Sequence, residues 1–125
     1  PRWFSEGTAR FVAWKMGAKD ERVLAWDREL VETLNTMKQA DDFLKGKLPA
    51  ELADVASYSF IKFLMKDPRR YQRMLKSVGG GVEFQKAFRA VYQGTPEQVA
   101  KFWAPDAAKQ ALRVRRSRRS SGGSD

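Results

Sequence analysis

A chain of 125 residues, 42% hydrophobic and 31% charged, has the length and composition of one globular domain that can bury a core without disulfide or metal staples. It contains no Cys and no His, which excludes disulfide frameworks, Cys nucleophiles, thiolate metal sites and imidazole ligands within these residues. The formal net charge is +9, of which residues 113–125, with five Arg and one Asp, carry +4, so the preceding part is only mildly basic.

The apolar spacing is helical nearly throughout, and no segment alternates long enough to argue a strand. It predicts an all-α fold of about six helices in an irregular bundle. A first helix is expected over residues 4–16, with Phe4, Ala9, Phe11 and Val12 inward, Ser5 near its start and Gly17 as its stop. Trp14 is expected on the side away from Phe4 and Phe11, as exposed apolar surface. Asp20-Glu21 opens a second helix, predicted to be the longest, with Val23, Leu24, Trp26, Leu30, Val31, Leu34 and Met37 at three- and four-residue steps. Asp41-Asp42-Phe43-Leu44 reads as a short turn.

Pro49 suits the first position of a third helix whose apolar residues, Leu52 through Met65, are so numerous that burial on most sides is implied. Asp67-Pro68 ends it and caps a fourth, lined by Tyr71, Met74, Leu75 and Val78. Gly79-Gly80-Gly81 reads as a helix stop; a phosphate-cradling loop would need a preceding strand and a Lys-Ser/Thr that are missing. A fifth helix carries Val82, Phe84, Ala87, Phe88 and Val91 and stops at Gly94. Thr95-Pro96-Glu97-Gln98 is a capping-box signature for the sixth, with Val99, Phe102 and Trp103 inward and Pro105 as a kink or restart. Residues 1–112 thus form the helical domain, and 113–125 a basic, disordered tail. No apolar run approaches the roughly 20 residues that span a bilayer, and Arg2, Glu6, Arg10 and Lys15 interrupt any signal-peptide core.

One carboxylate stands out. Glu6 lies between two aromatics and an amphipathic helix; in a generic helical protein a first-turn Glu complements the helix dipole. The string PRWFSEGTARFVA, however, resembles the W-[LF]-x-E-G-x-A-x-[YF] segment of gluzincin metallopeptidases, especially the peptidase-MA-like group. Trp3, Phe4, Glu6, Gly7 and Ala9 fall at the matching offsets. The similarity extends through SYSFIKFLMKD, RRYQRMLKSVGGG, Phe84-Ala87-Phe88, Gly94-Thr95 and Trp103 to the C-terminal helical part of that family, while residues 17–48 match only in being helical.

The resemblance implies that Glu6 is the third zinc ligand and that the two His ligands and general base come from an upstream H-E-x-x-H helix. Such a zinc site keeps an open position for a water whose pKa the metal lowers. Without those His residues the isolated chain is expected to hold no zinc and to hydrolyse no peptide. Glu6, alone or with Asp20 or Asp54, offers only hard oxygen ligands, suited loosely to Mg²⁺ or Ca²⁺. Arg10 stands where the family often has an acid, and Tyr58, a candidate for stabilising a transition state, reads as a core residue. The reading is therefore the C-terminal portion of a zinc metallopeptidase-like protein, partnered by the upstream half of its domain and, if the parent is active, by a peptide or protein substrate; by family analogy the parent is exported. An excised half is expected to expose apolar surface around Glu6, Trp3 and Trp14. The alternative is a self-contained basic helical module whose Arg113, Arg115, Arg116, Arg118 and Arg119 contact nucleic acid or another polyanion through charge alone.

Overall fold

In a computed structural model, secondary structure is described for residues 1–17 and 19–123, and side chains for 1–17 and 19–113. Six helices follow one another: α1 (Arg2–Met16), α2 (Glu21–Thr36), α3 (Ala50–Leu64), α4 (Pro68–Gly79), α5 (Phe84–Tyr92) and α6 (Pro96–Gly123). There is no strand among the described residues, and no helix is long and apolar enough to cross a membrane.

The helix starts are set by local chemistry. Asp20 accepts a hydrogen bond from the Arg22 backbone N–H, and Asp67 from that of Arg70, with Pro68 in the first turn of α4. At α6 the capping box closes in both directions: the Gln98 N–H donates to Thr95 Oγ1 at 3.2 Å, and the Thr95 N–H to Gln98 Oε1 at 2.8 Å. Pro49 sits one residue earlier than expected, as the residue before α3. After α4 the chain reverses through Gly81 at φ +99°, a left-handed conformation that glycine adopts without steric penalty.

α3 is the hub. Every residue from Asp54 to Ile61 is buried, because α1, α2 and α6 all pack on it. Phe60 is the aromatic centre, touching Trp3 at 5.3 Å, Phe43 at 5.5 Å and Trp103 at 6.0 Å between ring centroids. Phe43 reaches the core from the 38–46 turn. One carboxylate oxygen there, Asp42 Oδ2, accepts from the Lys38 and Gln39 N–H groups at 2.9 and 3.0 Å. Those two bonds hold the Asp42 carboxyl below the usual carboxylate range.

Several expectations about the last helix change, and Phe102, expected inward, is 74% exposed. α6, not α2, is the longest, and it runs through Pro105 without a break. Ala100, Trp103, Ala107 and Ala111, buried at three- and four-residue steps, hold both sides of the proline against the bundle. The backbone then stays helical to Gly123, across the segment where a disordered tail is expected from Arg113 onward. Ala and Arg, which dominate residues 107–119, are both strong helix formers.

Candidate functional site

α1 is held on the bundle by its first three turns. Trp3 is only 9% exposed and contacts Phe60, Phe84 and Phe88 at 5.3, 5.7 and 6.1 Å. Phe4 meets Phe84 at 4.9 Å, and Thr8 shares a 2.7 Å hydrogen bond with the Tyr71 hydroxyl. Between them Gly7 lies flat on α3: a Cβ at this position would sit 2.6 Å from the Ser57 carbonyl oxygen and 2.7 Å from Ile61 Cγ1. The small residue that the motif places after Glu6 thus brings α1 and α3 together backbone to backbone.

These contacts correct the expected exposure of the two tryptophans. Trp3 is spent on the core of this chain. Trp14 is half-buried rather than outward, because it follows Phe11 by three residues and Gly7 by seven and so shares their side of the helix. Its ring lies 5.7 Å from Phe11, and Lys62 Nζ stands 4.3 Å from its centroid.

The uncovered side of α1 is formed by Ser5, Ala9, Val12, Ala13 and Met16, which recur at three- and four-residue steps and are all exposed, so Ala9 and Val12, expected inward, face out. Val12 is 48% and Met16 85% exposed. Glu6 borders this strip, three residues before Ala9. It is half-buried, and among the described residues it makes no hydrogen bond or ion pair. The neighbouring acids are committed elsewhere. Asp54 accepts from Arg2 Nη2 at 3.0 Å and lies 3.9 Å from Arg10, while Asp20 caps α2. Arg10 also stacks 4.9 Å from the Trp26 ring, tying α1 to both α2 and α3.

No group of three His, Cys, Asp or Glu is arranged to hold a metal among the described residues. Asp20 and Asp54 do not join Glu6 in such a group, so any metal at Glu6 would need its remaining ligands from outside the described residues. Of the tail arginines, Arg113 is exposed; Arg115, Arg116, Arg118 and Arg119 have side chains outside the described residues.

A second polar constellation was not singled out by the sequence. Where α2 meets α3, Asp27 Oδ1 is buried without a hydrogen bond, 4.0 Å from Lys62 Nζ, and Lys62 donates to the Tyr58 hydroxyl at 3.4 Å. Burial pushes the Asp27 carboxyl above its ordinary 3.8, opposed by the Lys62 charge. Burial likewise pushes the Tyr58 phenol up and the Lys62 ammonium down. Tyr58, with its ring 5.3 Å from Trp26, is a core residue. The signal available in the sequence was Lys62, four residues after Tyr58 and the one charged residue between Val55 and Met65.

This cluster makes stability depend on pH. A carboxyl whose pKa is raised by folding binds more protons in the native state, so stability falls as pH rises from 3.8 through the native pKa of Asp27. Urea unfolding across pH 4 to 7 is therefore expected to show wild type losing ground relative to Asp27→Asn as pH rises, a trend that vanishes if Asp27 titrates normally.

Compared with family models, curated proteins and solved structures, the chain matches none of them. What fold and site define together is an all-helical body with Glu6, whose carboxylate makes no hydrogen bond or ion pair among the described residues, at the edge of an uncovered helix face.

Proposed function

We propose that the chain is the C-terminal portion of a zinc-dependent metallopeptidase-like domain, contributing Glu6 as third metal ligand and α1 as one wall of the site, and inactive alone. The observation that carries this reading is the outer face of α1. Its inner face is fully used by Trp3, Gly7 and Phe11, yet its outer face presents a continuous small and apolar strip with an unpaired carboxylate on its border. A second helix can approach such a strip closely, and Glu6 would then reach ligands on that helix. The two His ligands would come from there, and zinc held by two His and one carboxylate supplies an open position that activates water.

This chain's own part is to hold the Glu6 backbone rigid through the Gly7 contact and to keep its carboxylate free of internal cations. Equilibrium zinc titration tests the reading. Residues 1–125 alone are expected to bind zinc no tighter than about millimolar, and in the parent protein Glu6→Gln is expected to weaken zinc by about 100-fold or more with the helical circular dichroism unchanged. Micromolar binding by the isolated chain, abolished in Glu6→Gln, would remove the need for upstream histidines. Unchanged zinc affinity of the parent in Glu6→Gln would remove Glu6 as a ligand.

A further inference from the structure

The body's positive charge is concentrated in one place. Between Lys66 and Arg89 seven basic residues stand against two acids, Asp67 and Glu83, a balance of +5; with +4 in residues 113–125, the rest of the chain sums to zero. Most of this segment is α4 and α5, which pack on each other, while Lys66, before α4, is paired with Asp106. α4 turns Tyr71 and Met74 to the core and leaves Arg69, Arg73 and Lys76 exposed. A groove of about 700 Å³ runs between the two helices, with Arg70, Arg73, Lys76 and Ser77 along one wall, Gln93 at one end and no carboxylate in its lining. A second depression, lined by Asp67, Arg69 and Gln72, adjoins the groove across Arg73 and Lys76.

The wall is electrostatically unbalanced. Arg70 Nε is 3.4 Å from Asp67 Oδ2 and partly neutralised, but Arg73 and Lys76 have no ion pair among the described residues. Like charges three residues apart on a helix repel. An anionic ligand would relieve that repulsion, and Arg guanidinium forks suit phosphate oxygens in particular.

We propose that the α4–α5 groove binds the phosphodiester backbone of a nucleic acid strand without reading its bases. A nucleic acid strand carries a charge at every nucleotide, each spread over two free phosphate oxygens that an Arg fork takes bidentately. An extended acidic peptide offers carboxylates on one face only at every second residue, whereas the strand is charged at every unit and presents the phosphate oxygens that guanidinium forks favour. A bilayer surface fits less well, because α4 turns Tyr71 and Met74 to the core and leaves only Leu75 among its large apolar side chains exposed, and the cations line a concavity. No aromatic lines the groove, so there is nothing for bases to stack on. This inference is independent of the Glu6 reading and of the tail.

Fluorescence anisotropy with a labelled thymidine oligomer of about 20 nucleotides tests it on the full chain and on a variant with Arg113, Arg115, Arg116, Arg118 and Arg119 changed to Ser. With about three cations engaged, the tail-neutral variant is expected to bind with a log–log salt slope near −2. Adding Arg73→Glu and Lys76→Glu is expected to weaken binding at least about tenfold, and the milder Arg73→Gln/Lys76→Gln pair to lower the slope by about 1.4, both with the helical circular dichroism retained. Loss of all binding on neutralising the tail, or no change in the α4 variants, overturns the proposal. So does tighter, groove-dependent binding to polyglutamate or to phosphatidylserine-containing vesicles than to the oligomer.

Discussion

Trp103→Ala is expected to cost about 3–5 kcal/mol of unfolding free energy, the usual range for emptying a fully buried Trp site. Trp103 has no exposed surface and, among the described residues, is the one large side chain that α6 fully buries, beside Pro96, Ala100 and Ala107. The indole fills the space between α3 and the 38–46 turn, 4.9 Å from Phe43 and 6.0 Å from Phe60. Its Nε1–H donates to Ser59 Oγ at 3.0 Å, so truncation also strands a buried hydroxyl. Trp103→Phe separates the two contributions. It keeps most of the packing and loses the hydrogen bond, and about 1–2 kcal/mol is expected. Urea unfolding checks both, with the midpoint falling and the slope unchanged. Since a domain of this size is stable by only about 5–15 kcal/mol, the alanine variant should be the more easily unfolded of the two by a wide margin. A loss below about 1 kcal/mol would mean that α6 is not anchored through this residue.

The second large effect is at Gly7. In an exposed helix, Gly→Ala gains about 1 kcal/mol from helix propensity. At Gly7 the sign should reverse. The new Cβ would meet the Ser57 carbonyl oxygen at 2.6 Å, and that oxygen belongs to the backbone of the hub helix and cannot swing aside. Overpacking of this kind costs about 1–3 kcal/mol, and Gly7→Val adds a branched side chain to the same clash. Gly79→Ala is the control, since nothing lies within 4 Å of its Cβ position. It is expected to be neutral or slightly stabilising. The readout is thermal unfolding of the three variants side by side; if Gly7→Ala melts with Gly79→Ala, the close α1–α3 approach is wrong.

How far the sequence reached depended on how local the signal was. The caps at Asp20, Asp67 and Thr95 were legible because donor and acceptor lie within three residues of each other. The buried character of α3 was legible because apolar residues occupy nearly every side of it. Trp3 was misplaced for a tertiary reason: its partners Phe84 and Phe88 lie some eighty residues away, and no local pattern reports that α5 covers the start of α1. Pro105 read as a break because the packing of Trp103 and Ala107 on either side of it is invisible in the local sequence. The basic groove was hidden because its cations, Arg70, Arg73 and Lys76, all lie on α4 and become the wall of a concavity only where α5 packs beside them. Glu6 was found through its neighbours, and its solitude is readable only now that Asp54 is seen bound to Arg2 and Asp20 to the start of α2.

The fixing of α1 by Trp3, Gly7 and Phe11 has a thermodynamic consequence for anything that settles on the strip of Ala9, Val12, Ala13 and Met16. The helix is already ordered, so an incoming partner meets a preformed surface and does not have to supply the entropy of folding it. Association would then be rigid-body docking, with a heat-capacity change set by the area of the strip alone and far below that of coupled folding.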